Sequence, residues 1–347
     1  MIKVNKPKIR FKNFNDSWSL RKLSDTQTDF KDGNYGEAYP KETDLTSSTQ
    51  GVPFLRGSDL DNGKLTLTNA RYITQSKHNE LISGHLIEDD IVIAVRGSLG
   101  SLGYVGPDNE GWNINSQLAI IRTRKIELIG NYLIQFLLSN RGNKEISSHI
   151  TGTALKQLPI KQLKNIKVPI PKIEEQSTIG SLFRTLDDLM SSYKDNLANY
   201  QSLKASMLSK MFPKAGQTVP EIRLDGFEGD WELIKLGEVC DLITKGTTAK
   251  SQSEQGKINF IKVENLKDNE IYSGVKISEE EHLGTLKRSI LYEGDILFSI
   301  AGTLGRTAIV RNDILPANTN QALAIIRGYK LDAYFLLVVL SGEVVKD

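Results

Sequence analysis

The chain repeats itself, so any fold assigned to it must be built twice. The segment PKIRFKNFNDSWSLRKL (Pro7 to Leu23) returns as PEIRLDGFEGDWELIKL (Pro220 to Leu236) at a shift of 213 residues, with Pro, Ile, Arg, Phe, Trp, Leu, Lys and Leu coinciding without a gap. A longer block, DIVIAVRGSLGSLGYVGPDNEGWNINSQLAIIR (Asp90 to Arg122), aligns gap-free with DILFSIAGTLGRTAIVRNDILPANTNQALAIIR (Asp295 to Arg327) at a shift of 205. The difference of eight residues is a loop that is shorter in the second copy. It runs from Phe30 to Gly51 in the first copy and from Ile243 to Gly256 in the second, rich in Gly, Ser, Thr and Lys and poor in core residues, as surface loops are. The scaffold repeats while an exposed loop diverges. Two copies of one recognition module would show this pattern, and so would a duplicated scaffold whose loops drift without consequence.

Each copy reads as mixed α and β. The runs IVIAV and ILFSI are β-branched and aromatic and end in turn signals, which predicts strands. Each leads through a glycine-punctuated turn, R-G-S-L-G or A-G-T-L-G, into a second strand that ends in LAII. Short helices are expected at QSKHNELIS and SEEEHLGTLKRS before the strand, and at NYLIQFLLSN and DAYFLLVVLSG after it. The fold expected is α+β: two tandem repeated domains, each a mixed sheet with short helices, joined by a long coiled-coil-type α-helix. The 347 residues exceed one ordinary domain and suit two units of roughly 150 residues with a connector. The expected boundaries are residues 1–158 for the first domain, 159–212 for a proline-bounded junction and spacer helix, 213–220 for a linker, and 221–347 for the second domain.

The connector is the most regular segment. Pro169 and Pro171 forbid a helix before Ile173, the next proline is Pro213, and only Gly180 dissents in between. Forty helical residues would make a rod of about 60 Å. Ile179, Leu186, Tyr193, Tyr200 and Met207 recur every seven residues, and Leu182, Leu189, Asn196 and Leu203 fill the alternate position. Such a seam needs a partner helix to be buried, and a lone polar residue such as Asn196 often fixes register.

Several chemistries are absent from the sequence. There is no GxxxxGK[ST] and no [DNS]-P-P-[YFW] tetrad; the four histidines (His78, His85, His149 and His282) are scattered, with no HExxH and no cysteine partners. No metal site is expected, therefore, and no catalytic residue. The run GSLGSLG lacks GxGxxG spacing and reads as a tight turn beside a strand. The acid pairs Asp89–Asp90 and Glu279–Glu281 read as solvated faces. A single cysteine, Cys240, fits a reducing, cytoplasmic setting, and the longest apolar stretch, around Tyr334 to Leu340, is too short to span a bilayer. The net charge of +2 permits nucleic-acid binding, because 44 Lys and Arg can segregate to one face, but does not argue for it.

Four features occur together: the doubled P-x-I-R-F-x-x-F-x-x-x-W-x-x-x-x-L opening, GVPFLRGSDL mirrored by INFIKVENL, the doubled strand before G-[ST]-L-G, and L-x-x-I-x-V-P-I-P-x-I-E-E-Q (Leu163 to Gln176) leading into a heptad helix. Together they resemble the specificity (S) subunit of type I restriction–modification systems, over essentially the whole chain. The resemblance implies a non-catalytic subunit whose two target recognition domains each read half of a bipartite site in double-stranded DNA. It implies that the long helix spaces the halves and docks methyltransferase (M) subunits, and that a restriction/translocase (R) subunit can join. S-adenosylmethionine, ATP and Mg would sit on the partners, with no cofactor bound by this chain. Against the repeat, the second copy lacks a counterpart of Gly142 to Phe212, roughly seventy residues. The helix seam is therefore expected to be covered by a methyltransferase, a second S chain or a separate helix fragment. Two other readings stay open here: a subunit of a related non-type-I restriction or methylation system, and a tandem-repeat adaptor for proteins.

Direct readout needs side chains that reach base edges, Arg or Lys to guanine and Asn or Gln to adenine, while phosphates take Lys, Arg, Ser and Thr. In the first copy the candidates are Lys31, Asn34, Tyr35 and Lys41 in the divergent loop, Arg56 and Ser58, Arg96 and Ser98, and Thr153, Lys156 and Gln157 before the connector. In the second they are Lys245, Thr247, Thr248, Lys250, Lys262, Glu264, Asn265, Thr303 and Arg306. Asn113, Asn115, Asn318 and Asn320 recur identically and are assigned to scaffold turns.

Overall fold

The computed structural model of the chain describes residues 7–250 and 256–342. The chain divides into two compact units, Met1–Lys194 and Asp195–Asp347. In the first unit the strands are β1 (Ser19–Lys22), β2 (Asp29–Asp32), β3 (Leu45–Thr46), β4 (Val52–Leu55), β5 (Leu60–Asp61), β6 (Lys64–Leu65) and β7 (Arg71–Ile73). Helix α1 (Gln75–Glu80), β8 (Ile91–Ala94), β9 (Leu102–Tyr104), β10 (Asn113–Ile114) and β11 (Leu118–Arg122) follow. Helices α2 (Gly130–Leu138), α3 (Asn140–Ser148) and α4 (Ile160–Leu163), then β12 (Lys167–Ile170), lead into the long helix α5 (Ile173–Lys210). The second unit adds α6 (Leu236–Val239), β13 (Cys240–Lys245), β14 (Ile258–Ile261), β15 (Leu266–Lys267), β16 (Glu270–Ile271) and β17 (Val275–Ile277). It ends with α7 (Glu279–Leu283), β18 (Ile296–Ser299), β19 (Thr307–Ile309), β20 (Ala317–Thr319), β21 (Leu323–Tyr329) and α8 (Ala333–Ser341).

The duplication extends to the topology of the two central sheets, with β3 of the first unit unmatched in the second. An antiparallel sheet runs β2-β11-β8-β9 in the first unit and β13-β21-β18-β19 in the second. Beside it lies a mixed sheet, β10-β4-β7-β3 in one and β17-β14-β20 in the other, in which β4 pairs parallel with β10 and β14 parallel with β20. The α+β expectation and the predicted strands and helices hold.

Strand β8 is apolar at every position because both of its faces are covered, and alternate side chains serve different cores. Ile91 and Ile93, with Ala119 and Ile121 of β11, join Leu133 and Leu137 of α2, Leu158, and Leu163, Ile166 and Val168 of the connector. Val92 and Ala94, with Leu118 and Ile120, turn to Leu55, Leu86 and Ile114 on the side of the second sheet. In the second unit, Ile296 and Ile326 meet Leu336, Leu337 and Leu340 of α8, while Leu297, Leu323 and Ile325 meet Ile261, Leu266 and Ile271.

The reading of Asp89–Asp90 as a solvated face is corrected, since both side chains are buried. Asp90 takes two hydrogen bonds from Arg122, from Nε at 2.8 Å and Nη2 at 2.7 Å, and a third from the Ile87 amide. Asp295 and Arg327 repeat the fork at 2.6 Å each, which is why the longer repeat begins with Asp and ends with Arg. Asp89 has a positive φ of 74° and accepts from the Gly130 and Asn131 amides, satisfying the orphan donors at the start of α2. In the other acid pair, Glu279 is exposed on the first turn of α7, while Glu281 accepts from the Lys250 amide.

Helix α5 is continuous over 38 residues. Its N-terminal turns are seated on the first unit: Gln176 is buried, accepts from the Ile129 amide and donates to the Glu127 and Pro171 carbonyls. Gly180 lies so close to α2 that a Cβ would stand 3.2 Å from the Tyr132 nitrogen, so this glycine is a point of close helix approach. Ile179 packs against the core. Leu182, Leu186, Leu189, Tyr193, Tyr200, Leu203 and Met207 are exposed, as is Asn196. The apolar surface is broader than a two-column seam, because Phe183, Met190 and Leu197 are exposed in a third, adjacent column. A face three columns wide is the pattern of a helix that packs into a bundle. Among the described residues no helix is long and apolar enough to cross a membrane.

Candidate nucleic-acid interface

Four loops of the first unit converge beyond the end of β8. The turn Arg96–Gly100 reverses the chain into β9 with Gly97 and Gly100 at φ +69° and +79°, a handedness that favours glycine. The loop after β4 abuts it, for a Cβ on Gly57 would lie 3.5 Å from the Ser98 side chain. That loop is closed by the Asp59 carboxylate, which accepts from the Arg56 amide at 2.8 Å. The divergent loop arrives through Tyr35, whose ring lies 5.4 Å from the Arg96 guanidinium, and Arg96 also donates to the Ser116 carbonyl. The fourth is a hairpin in which Thr151 and Gln157 exchange backbone hydrogen bonds, tied to the turn by the Leu158 amide donating to Val95.

Of the first copy's candidates, the contacts gather Tyr35, Arg96 and Ser98 and bring the loops of Ser58 and of Thr153, Lys156 and Gln157 alongside. Tyr35, Ser58, Arg96, Ser98, Thr153 and Lys156 are exposed, and Gln157 is half-buried. Lys31 is exposed on the edge strand β2, opposite Ile120, and Lys41 is exposed on its own short turn; the contacts that bind the group include neither. Arg56 is half-buried, with its guanidinium donating to the Asn69 carbonyl and Nε 3.6 Å from Asp59. Asn34 is a correction: it is buried and its amide donates to the Ser83 carbonyl at 2.7 Å. That amide closes the loop and is not presented to a base. Asp32 is an addition. Its carboxyl is held above the ordinary carboxylate range, chiefly by burial, against the opposing pull of the Tyr35 hydroxyl and Arg96. Burial likewise pushes the Tyr35 phenol up, with Asp32 adding to it. An acid, a phenol and a guanidinium thus share one surface.

The second unit builds the same place with other side chains. Lys262, Glu264, Thr303, Arg306 and Asn320 line a shallow pocket of about 400 Å³, so four predicted residues come together there. Lys262 lies 3.9 Å from Glu264. Arg306 is committed inward, with Nη1 donating to the Val263 and Leu266 carbonyls at 3.1 Å each. Asn265 closes its loop by accepting from the Lys262 amide, as Asp59 does in the first unit. Thr248 is exposed and donates to Gln321, whereas Thr247 is half-buried and its amide donates to Thr319. Lys245 and Lys250 are exposed at the end of β13 and in the loop after it; residues 251–255 of that loop lie outside the described residues.

The repeated asparagines are scaffold groups. Asn115 accepts from the Gln117 amide and Asn320 from the Ala322 amide, each closing a turn. Asn113 pairs with His78, and Asn318 with His282 at 2.5 Å, so two of the scattered histidines are equivalent members of a repeated pair. Sequence reasoning missed Gln117 and Gln321, exposed amides one position out of step in otherwise matched turns, Asn-Ser-Gln and Asn-Gln-Ala. Their being out of step beside an invariant Asn-x-Asn was the available signal. Among the described residues no group of His, Cys, Asp and Glu is arranged to hold a metal ion.

Comparison with known proteins agrees with this duplicated architecture. The type I restriction modification DNA specificity domain matches residues 17–199 and again 228–344. The chain is 25% identical over 211 residues to the type I restriction enzyme MjaVIII specificity subunit of Methanocaldococcus jannaschii, covering 58% of this chain and 50% of that one. It is 27% identical over 175 residues to the EcoBI specificity subunit of Escherichia coli, covering 47% of this chain and 35% of that one. The chain thus spans about half the length of the first of these relatives, and less of the second. The crystal structure of the type I restriction-modification system S subunit from M. genitalium shares the fold, with a TM-score of 0.59 at 16% identity over 97% of this chain and 79% of that one. With most of its length matched in two tandem stretches, the chain belongs to the type I restriction modification DNA specificity domain family.

Proposed function

We propose that the chain is the DNA-reading subunit of a type I restriction–modification complex and leaves the chemistry to its partners. Each unit reads one half of a bipartite duplex site in the major groove. The observation that carries this reading is that the two units place different side chains at matched loop positions: Arg56, Ser58, Arg96 and Ser98 in one, and Lys262, Glu264, Ala301 and Thr303 in the other. Exposed Arg and Lys suit guanine and phosphate, while the Gln117 and Gln321 amides suit adenine.

Helix α5 separates the halves and docks methyltransferase subunits through its exposed columns from Leu182 to Met207; a restriction/translocase subunit joins the assembly. The width of that face favours helices of a methyltransferase over a single antiparallel partner from a second copy or a separate fragment. Adenine methylation from S-adenosylmethionine takes place on the partner subunits. Sequencing the methylated bases of cells with and without this chain tests the reading: one bipartite motif should disappear with the chain, and an unchanged set of motifs would defeat the proposal.

A further inference from the structure

In the second unit the loop after β14 is braced from several directions. The Asn265 side chain accepts from the Lys262 amide at 2.8 Å, and the Asn265 amide donates to the Lys262 carbonyl at 2.9 Å. The Tyr272 amide donates to the Asn265 carbonyl at 2.9 Å. From the neighbouring turn, Arg306 Nη1 donates to the Val263 and Leu266 carbonyls, one on either side of Glu264 and Asn265. The backbone of this loop is therefore set in advance, and little ordering remains to be done when a ligand binds. At the position of Arg306 the first unit has Ser101, so this brace belongs to the second unit alone.

The braced loop carries two opposite charges. Lys262 Nζ lies 3.9 Å from Glu264 Oε1, and the Glu264 side chain is 75% exposed. Both residues line the pocket of about 400 Å³, whose other wall is Ala301, Gly302 and Thr303. Ala301 stands where the first unit has Arg96, so the second unit leaves room where the first places a guanidinium. A carboxylate on a face turned to DNA is repelled by the phosphates. In the major groove the groups that reward it are exocyclic amines, N4 of cytosine or N6 of adenine. The neighbouring lysine selects between them. A G·C pair sets two adjacent acceptors, guanine N7 and O6, beside the cytosine amine, which suits a cation next to an acid. In an A·T pair the amine stands between its acceptors, and a methyl group flanks the outer one.

Building on the duplex-reading function above, we propose that Lys262 and Glu264 together read one G·C base pair in the second half-site. Lys262 donates to guanine N7 and O6, and Glu264 accepts from the cytosine amine. Arg306 is a positioning residue that holds the loop carrying both and touches no base. The acid makes the site selective more than tight: a base pair without an amine in reach leaves the carboxylate desolvated against the phosphates with nothing to accept from. The first unit, with Arg56 and Ser58 at the matched positions, carries no acid there and reads its half-site by other contacts.

The test replaces the chain in cells by Glu264→Gln and by Glu264→Ala, sequences the methylated bases, and measures competition between duplexes that differ by single base pairs. With either variant, preference for G·C at one position of one half-site should fall at least about fivefold, with the other half-site unchanged. Glutamine, which suits adenine, should in addition admit A·T at that position. An unchanged motif with both variants would overturn the inference while leaving the duplex-reading function standing. So would an affected position that is A·T in the native motif. Tighter binding of every duplex alike by Glu264→Ala would show that the acid only repels phosphate, and an even loss on every duplex would show that it only supports the loop; either overturns the inference. If no methylated motif depends on the chain at all, the duplex-reading function fails and this inference fails with it.

Discussion

The Arg122 guanidinium and the Asp90 carboxylate form a two-pronged hydrogen-bonded pair, with Asp90 buried and Arg122 only partly solvated. Arg122 also donates to the His85 carbonyl, so one side chain clasps the end of β11 to the loop before β8. Truncation of Asp90 would leave a cation without its counter-charge. Asp90→Ala is expected to destabilise the first unit by about 3 kcal/mol. The equivalent Asp295→Ala should cost about 2 kcal/mol, because Arg327 is more solvated and retains a cation–π contact with Tyr292 at 4.2 Å. Hydrogen exchange resolved to each unit measures both losses; equal effects in the two units would contradict this account.

Arg96 stands at the centre of the surface proposed to read DNA in the first unit. Arg96→Ala should weaken duplex binding by about 1–3 kcal/mol and relax the methylated motif at one position if the guanidinium reads guanine. If it grips phosphate, binding instead falls evenly across sequences and the salt dependence becomes shallower by about one counterion. Competition binding at several salt concentrations separates the two, and no change in either quantity would remove Arg96 from the interface.

Asp32 gives the same surface a pH dependence. Its carboxyl titrates above the ordinary range because burial disfavours the charge. A raised carboxyl pKa favours the folded state only in acid, below the unfolded value, and that contribution disappears as pH rises through the folded value. At neutral pH the charged Asp32 is therefore a burden on the first unit and repels phosphate beside Arg96. Asp32→Asn should stabilise the unit slightly at neutral pH and tighten duplex binding. The native chain should approach the variant's affinity as pH falls through the raised pKa of Asp32. A variant that binds more weakly than the native chain at every pH would show that Asp32 orders the loop through Tyr35.

The exposed columns of α5 predict a separation of stability from assembly. Leu189→Asp alters a side chain that is 49% exposed, so thermal unfolding should change by no more than about 0.5 kcal/mol. Co-purification with the methyltransferase should be lost. Retention of the complex at native affinity would mean that the helix face is not the docking surface.

Much of this architecture is legible in the sequence, and the reasons differ by element. β8, β11 and their counterparts announce themselves as unbroken apolar runs, and α5 as a proline-free heptad, because both signals are local. What escaped depends on residues distant in the chain. Asp89 and Asp90 look like surface acids until Arg122 and the start of α2 are brought to them. His78 and His282 look unrelated until β10 and β20 bring Asn113 and Asn318 beneath them. Asn34 has the chemistry of a base reader, and only the fold of its loop turns the amide to Ser83. Phe183, Met190 and Leu197 were legible in principle, since they share the seven-residue spacing, but a two-column template passes over them.

The turn after β8 has one further consequence. A side chain at Gly97 or Gly302 would meet nothing within 4 Å, yet both positions have positive φ, so the backbone, and not crowding, reserves them for glycine. Variation is thereby displaced onto the neighbours, and there the copies part: Arg96 against Ala301, Ser98 against Thr303, Ser101 against Arg306. The left-handed glycines hold the shape of the bend while the side chains beside it differ, so those side chains can be exchanged without disturbing the hydrophobic interior.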